Sequence, residues 1–137
     1  MLRKNAKLEL LKQVPLFSRC SRKELDEVAC LADEVDVPKG RNLATEGASG
    51  REFVVIVEGA ADVRRKGRKI NALSSGDFLG EISLIAGVPR TATVTTTEPS
   101  RLLVVTAPAF KRLLRDSPSI QLKVLEALAH RLPPEYD

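Results

Sequence analysis

One short segment of the sequence combines the residue types of an anion-binding site. Residues 81–86 fit a single helical turn, and Gly80 precedes it without a side chain that would block a ligand. The first amides of such a turn have no partner inside the helix, and the helix dipole favours a negative group beside them. Nine residues after Glu81, Arg90 supplies a planar cation that fits phosphate oxygens, and Thr91 adds a hydroxyl. The segment therefore predicts a site for an anionic ligand.

The chain on both sides of this segment follows the alternating pattern of β-strands. Strands are predicted over residues 34–37, 42–45, 52–57, 61–65, 70–73, 91–97 and 102–106. Turn signals rich in Gly, Pro and Ser separate these runs. Short strands at near-regular spacing favour a closed sandwich or roll over a parallel sheet.

Helices are predicted at both ends of the chain. Apolar residues at helical spacing place them over residues 2–14, over about ten residues that follow Ser21, from Ala107 to an interruption at residues 116–118, and over residues 119–132. Ser21 and Glu24 match a capping box, which marks where the second helix begins.

The 137 residues fit one domain. We divide it into N-terminal helices over residues 1–33, a β-roll over residues 34–106 that contains the anion-binding segment 79–92, and C-terminal helices over residues 107–132.

The composition excludes several classes of function. Aromatic residues make up only 4% and Trp is absent, which argues against nucleic-acid binding by stacked bases. Five basic residues in the run 64–69 lie at a predicted hairpin tip and lack aromatic neighbours, so we expect a solvated tip there. No apolar run is long enough for a membrane span, and the N-terminus is not a secretory signal. We expect a cytoplasmic protein that contacts neither membrane nor nucleic acid.

The few cysteines and histidines exclude most catalytic chemistry. Cys20 and Cys30 are expected to be reduced thiols, and His130 is the only histidine. A single histidine cannot build a zinc or iron cluster, or the several ligands of a cupin-type metalloenzyme, and no Ser-His-Asp order is evident. We expect a protein that is not an enzyme, with no metal and no cofactor, and with His130 at the surface or in a terminal turn.

The anion-binding segment resembles the phosphate-binding cassette of the cyclic nucleotide-binding domain family. This family includes the catabolite activator protein, protein kinase A regulatory subunits and cyclic-nucleotide-gated channels. The matching residues are Gly80-Glu81-Ile82-Ser83-Leu84 and Pro89-Arg90-Thr91-Ala92-Thr93, and similar flanks extend the resemblance from about residue 10 to residue 132. The resemblance implies a mainly β fold: an eight-stranded, jelly-roll-like β-roll (a double-stranded β-helix) with flanking helices.

The resemblance also implies roles for single residues. Glu81 would accept a hydrogen bond from the ribose 2′-hydroxyl, and Arg90 would pair with the cyclic phosphate. The remaining contacts of the ribose phosphate would come from the backbones of Gly80, Ile82 and Ser83 and from Thr91 and Ala92. A carboxylate accepts from a hydroxyl, while Arg and free amides suit a monoanion, so the chemistry agrees.

The base is expected between a β-strand and the last helix. By position, Val63 is the candidate for the wall and Arg131 for the cap, with Leu128 and Leu132 beside it. Pro133-Pro134 ends this helix earlier than in family members that extend it toward an output domain. Thr91 is compatible with cGMP, but similar bacterial-type domains bind cAMP, which is therefore preferred.

The interpretation from sequence is a sensor that shifts between open and closed forms when the final helix covers the base. Its output would come from an unidentified effector protein or a fused domain, as in a longer transcription regulator or a channel. The apolar helix faces leave a homo-oligomer open. A scaffold that has lost its ligand is disfavoured because Glu81 and Arg90 are both present.

Overall fold

Eight strands form two antiparallel sheets in the computed structural model, which describes the backbone of residues 4–131 and the side chains of residues 7–80 and 84–130. In spatial order, the first sheet contains β1 (Asp33–Val37), β8 (Ser100–Thr106), β3 (Glu52–Glu58) and β6 (Phe78–Leu79). The second contains β2 (Asn42–Ala44), β7 (Thr93–Thr96), β4 (Ala60–Arg65) and β5 (Arg68–Ser74). This arrangement confirms the mainly β roll expected from the sequence.

Helices flank the roll at both ends of the described chain. They are α1 (Lys4–Gln13), a 3-10 turn (Pro15–Phe17), α2 (Arg22–Leu31), α3 (Glu81–Ala86), α4 (Ala107–Asp116) and α5 (Pro118–Arg131). None of the helices within residues 4–131 has the length and apolar character needed to cross a membrane.

Strand β3 is buried on both of its faces and joins two hydrophobic cores. Phe53 and Val55 pack against the helices, while Val54 and Ile56 point between the two sheets. Side chains of a strand alternate between its faces, so four consecutive apolar residues supply both cores. The core between the sheets receives a buried residue from every one of the eight strands. The roll is therefore closed around its own interior.

The second core lies between the first sheet and the helices. The rings of Phe53 and Phe110 stack with centroids 4.4 Å apart, which attaches α4 to β3. Leu11, Val28 and Val124 from three other helices are almost fully buried in the same core. Burying each such side chain stabilises the fold by roughly 1.5–3 kcal/mol.

The capping box predicted at α2 is present and extends to a second contact. Ser21 Oγ accepts from the amide of Glu24 at 3.1 Å, and the Glu24 carboxylate accepts from the Ser21 amide at 2.9 Å. The same carboxylate accepts from the Ser117 hydroxyl, and from the Ser119 hydroxyl at 3.4 Å. Glu24 thus fastens α2 to the corner between α4 and α5.

Three of the differences between the structure and the predicted elements have a clear physical reason. The strand expected from residue 91 begins at Thr93, because the Arg90 backbone pairs with a loop instead of a strand. Strand β6 has only two residues, which is too short for alternation to reveal it. The last helix begins at Pro118, since proline is well tolerated in a first turn.

Candidate functional site

A cavity of about 390 Å³ opens between the second sheet and the segment that carries Arg90. Apolar side chains form much of its wall, namely Ala44, Val63, Ile70, Leu73, Phe78, Leu79 and Val94. At one end it is lined by Gly80, Arg90, Thr91 and Ala92, and α5 contributes His130. This volume lies within the range of small-molecule sites, which are mostly apolar with a few polar groups.

Arg90 is a buried, charged residue in the wall of this cavity. It is only 8% exposed, and its Nη2 donates to the backbone carbonyl of Glu52 at 2.6 Å. Its Nη1 is buried and has no hydrogen-bond partner in the part of the chain that the structure describes. Burial lowers the pKa of Arg90, against a smaller opposing effect of the Glu52 charge. The guanidinium is therefore held in place, but only part of its hydrogen-bond donors have a partner among the described residues.

Gly80 gives Arg90 the space that it occupies. The backbone of Gly80 has φ +105°, and a Cβ built on it would lie 2.5 Å from the Glu52 carbonyl oxygen and 2.7 Å from Arg90 Nη1. No real Cβ tolerates such distances, and an L side chain rarely adopts that φ. Glycine is therefore needed here for two independent reasons.

The backbone around Arg90 is fixed by the loop before β3. The Arg90 amide donates to the Ala48 carbonyl at 2.8 Å, and the Gly47 amide donates to the Arg90 carbonyl at 2.9 Å. These paired bonds fix the backbone of Arg90, and the bond from its Nη2 to the Glu52 carbonyl holds the guanidinium. A preformed cation lowers the entropic cost of binding an anion.

The hairpin between β4 and β5 joins the same cluster of loops. Arg65 Nε donates to the Thr91 carbonyl at 3.0 Å. The Lys66 amide donates to the Glu46 carboxylate, and the Glu46 amide donates to Thr93 Oγ1, both at 2.9 Å. Three chain segments that are far apart in sequence thus meet at the charged end of the cavity.

The residues predicted for the site are placed as follows. Gly80, Arg90, Thr91 and Ala92 line one end of the cavity, and Val63 lines its apolar wall. Glu81, Ile82 and Ser83 form the first half of α3, directly after Gly80, and their side chains lie outside the description.

The candidates for a cap over the base are more dispersed. Leu128 packs, partly buried, against the helical core and does not line the cavity. Arg131 is the last residue of α5, but its side chain falls outside the described part of the chain, as does all of Leu132. His130, which the sequence placed at the surface or in a terminal turn, is exposed in the last turn of α5 and lines the cavity.

Sequence reasoning missed Arg65 as a cavity residue. The signal was available, because Val63 and Arg65 are two positions apart on one strand and both line the cavity. The contact of Arg90 with the Glu52 carbonyl had no such signal, since it joins a side chain to backbone 38 residues away.

Among the described residues, neither a metal site nor a reactive Cys20 competes with this cavity. No group of three or more potential metal ligands occurs among the described residues. Burial, followed by the charge of Glu24, raises the pKa of Cys20 to about 11, so its sulfur stays a thiol at neutral pH.

A closed β-roll that presents a buried, partly satisfied arginine to a nucleotide-sized cavity is a binding domain for an anionic ligand. The family model described as "Cyclic nucleotide-binding domain" matches residues 34–117. That match spans more than half of the chain, which therefore belongs to the cyclic nucleotide-binding domain family. It confirms the resemblance drawn from the sequence.

Relatives and solved structures agree with this family. A cAMP-dependent protein kinase regulatory subunit from Mycosarcoma maydis is 38% identical over 115 residues, which cover 77% of this chain and 22% of the relative. The solved regulatory domain of Toxoplasma gondii PKA with cAMP has a TM-score of 0.81 and 23% identity, covering 93% of this chain and 50% of that one. The regulatory subunit of a cAMP-independent protein kinase A from Trypanosoma brucei has a TM-score of 0.84 and 19% identity, covering 98% and 48%.

These similarities have different weight. Both solved structures are below 25% identical to this chain, so they support the fold alone. The chain spans between 22% and 31% of the length of the curated relatives that it matches. Those relatives are named as regulatory subunits and a gated channel.

Proposed function

We propose that this domain binds a cyclic nucleotide, with cAMP preferred, and that Arg90 binds the cyclic phosphate. The observation that carries the proposal is Arg90 itself, a buried cation that lines the cavity and whose Nη1 has no hydrogen-bond partner among the described residues. A buried donor left unpaired costs about 1–3 kcal/mol, and more when it is charged. A phosphate oxygen in the cavity supplies the missing acceptor and the missing negative charge together.

A monoanionic phosphodiester suits this site better than a more highly charged group. Arg90 is a single buried cation, so it balances one negative charge of a ligand. One of its donors is already bonded to the Glu52 carbonyl. The apolar wall, which includes Val63, Ile70 and Leu73, fits a purine ring and offers a phosphate no hydrogen bonds. The site therefore divides into a cationic end for the phosphate and an apolar part for the base.

The residues of α3 complete the proposed contacts. By family membership, Glu81 accepts from the ribose 2′-hydroxyl, and the backbones of Gly80, Ile82 and Ser83 line the ribose phosphate. Thr91 and Ala92 lie at the same end of the cavity as Arg90, which supports their role at the phosphate.

For the base, Val63 serves as the wall and the end of α5 as the cap. Arg131 remains the candidate that the sequence proposed, and His130 now joins it because it lines the cavity. Leu128 supports the cap indirectly, by packing α5 onto the core.

The choice of cAMP rests on the relatives, and cGMP is the alternative. Regulatory subunits that are named as cAMP-dependent match at 31–38% identity. Thr91, which is exposed and lines the cavity, is the residue through which guanine would be favoured.

The domain acts as a regulatory module without catalysis of its own. Ligand binding shifts an equilibrium between open and closed positions of α5, by as much as the affinities for the two forms differ. The output is an effector protein in the cytoplasm or a domain of the same, longer chain. Oligomerisation of that larger assembly is compatible with this role.

Calorimetric titration with cAMP, cGMP and linear AMP in parallel tests the proposal. We expect cAMP to bind with a Kd near 1 μM, about −8 kcal/mol, and linear AMP to bind much more weakly. Arg90→Ala is expected to weaken cAMP binding about 30-fold or more, about 2 kcal/mol, because a charge-assisted contact is lost.

The matched control is Arg115→Ala. Arg115 lies on α4 with its side chain 72% exposed and paired with Asp116, so its loss leaves the cavity unchanged. Equal binding by the Arg90→Ala and Arg115→Ala variants contradicts the phosphate role. If wild type binds neither cyclic nucleotide, the proposed function is wrong.

A further inference from the structure

We infer that Arg65 is a second ligand contact, a cation at the edge of the cavity that binds the same anionic group as Arg90. This inference rests on the proposed function and adds a residue that determines how tightly the anion is held. Arg65 is the last residue of β4, and it lines the cavity together with Arg90 and Thr91.

A hydrogen bond places the Arg65 guanidinium beside the phosphate end of the cavity. Its Nε donates to the Thr91 carbonyl at 3.0 Å, and Thr91 directly follows Arg90 in the chain. This bond uses one of five guanidinium N–H donors and leaves both Nη groups for a ligand. Arg65 makes no ion pair with a carboxylate in the part of the chain for which side chains are described.

Unlike Arg65, two neighbouring basic residues of the hairpin form ion pairs with a carboxylate. Arg64 pairs with Asp62 at 3.6 Å and Lys69 pairs with Asp62 at 3.2 Å. Neither Arg64 nor Lys69 lines the cavity. Successive residues of a strand point to opposite faces, so Arg64 and Arg65 have the same charge but different environments.

Hydrogen bonds through Glu46 hold the hairpin tip that carries Arg65 close to the anion-binding segment. The Glu46 carboxylate accepts from the Lys66 amide, while the Glu46 amide donates to Thr93 Oγ1. Lys66 has φ +52° and Gly67 has φ +78°, the left-handed pair that closes a tight hairpin. Arg65 is thus anchored on both sides and needs little reorganisation to meet a ligand.

The charges that line the cavity favour two cations acting on one anion. Among the side chains that the structure describes, the cavity lining includes Arg65 and Arg90 and no carboxylate, while Glu81, which the proposed function assigns to the ribose, lies outside them. A cyclic phosphate carries one negative charge spread over two exocyclic oxygens, which two separate guanidinium groups are able to share. Arg65 is exposed, so its contribution is smaller than that of buried Arg90 and is screened by salt.

The test compares wild type, Arg65→Gln and Arg64→Gln by titration with cAMP and, in parallel, with cGMP at low and high salt. We expect Arg65→Gln to weaken binding about 5- to 10-fold at low salt, and Arg64→Gln to stay within about twofold of wild type. The affinity of Arg65→Gln is also expected to depend less on salt, because one screened charge is gone.

Arg65→Lys separates a charge contact from a purely structural role. A lysine keeps the positive charge but loses the planar fork, so it is expected to recover the salt dependence and part of the affinity. If Arg65→Gln binds within twofold of Arg64→Gln, or if Arg65→Lys behaves as Arg65→Gln, the inference about Arg65 is wrong while the proposed function stands. If wild type binds no cyclic nucleotide, both fail together.

Discussion

The cavity end of the roll and the helical junction around Glu24 each place an ionisable side chain in a crowded setting, but they satisfy it differently. At the junction, the Glu24 carboxylate accepts hydrogen bonds from Ser21, Ser117 and Ser119. At the cavity, Arg90 has one bond to a carbonyl and a buried Nη1 with none among the described residues.

This difference in hydrogen bonding indicates different roles for the Glu24 carboxylate and the Arg90 guanidinium. Burial alone raises the pKa of Glu24, but the hydrogen bonds from Ser117, Ser21 and Ser119 outweigh it and the net pKa is lowered. For Arg90, burial dominates and its pKa is lowered, so its charged form is disfavoured. A charge that the fold stabilises is part of the architecture, whereas one that the fold leaves short of partners is available to a ligand.

The largest expected effect comes from Gly80→Ala at the cavity end. The new Cβ would overlap the Glu52 carbonyl and Arg90 Nη1, and the backbone would be strained at φ +105°. We expect the free energy of unfolding to fall by about 3 kcal/mol and cyclic nucleotide binding to be lost. Chemical denaturation and calorimetric titration of the same variant measure both quantities.

Gly87→Ala is the matched control for this substitution. Gly87 also has a positive φ, +68°, but a Cβ there meets nothing within 4 Å. It should cost only the backbone strain, about 1 kcal/mol, and leave binding in place. Equal losses in the two variants would show that the contact between Gly80 and Arg90 has no special importance.

Local patterns predicted the fold well because they reflect local causes. The capping box of Ser21 and Glu24, the apolar run of β3 and the helical turn after Gly80 each depend on residues a few positions apart. Such signals survive without knowledge of tertiary structure. They were sufficient to predict a β-roll with flanking helices.

The hydrogen bonds at the site that the sequence did not predict are long-range contacts. Glu52 and Arg90 meet across 38 positions of sequence, and Arg65 meets Thr91 across 26. A two-residue strand such as β6 carries no periodic signal at all. The roles expected of single residues at the ligand were therefore predicted from the family resemblance, while the unsatisfied Nη1 of Arg90 became visible only in the structure.

At the helical junction, Glu24→Ala is expected to lower the free energy of unfolding by about 2 kcal/mol. The variant loses half of the capping box and leaves the buried hydroxyl of Ser117 without its carboxylate partner. Cyclic nucleotide binding measured on the folded variant should change little. Glu9→Ala, which removes a 70% exposed carboxylate paired with Lys12, should stay within about 0.5 kcal/mol of wild type.

The pH dependence of stability sharpens this prediction. The pKa of Glu24 is lower in the folded state than its ordinary value, so its charge stabilises the fold above the unfolded pKa of about 4.3. That contribution is lost as the pH falls through the folded pKa. The stability difference between wild type and Glu24→Ala should therefore shrink in acid, and a difference that grows in acid contradicts a stabilising charge on Glu24.

Apart from the Glu9→Ala control, the smallest expected change in stability is that of Arg90→Met without ligand. Methionine removes a charge whose desolvation the fold does not fully compensate, while it keeps an apolar stem of similar length. We expect the free energy of unfolding of the ligand-free protein to stay within about 1 kcal/mol of wild type, or to rise. Excess cAMP should stabilise wild type by about 2.7 kcal/mol at 100 times its Kd and leave the variant unchanged. A loss as large as that of Glu24→Ala in the ligand-free state would mean that Arg90, like Glu24, is held by the fold for its own stability, and the distinction between the two regions would not hold.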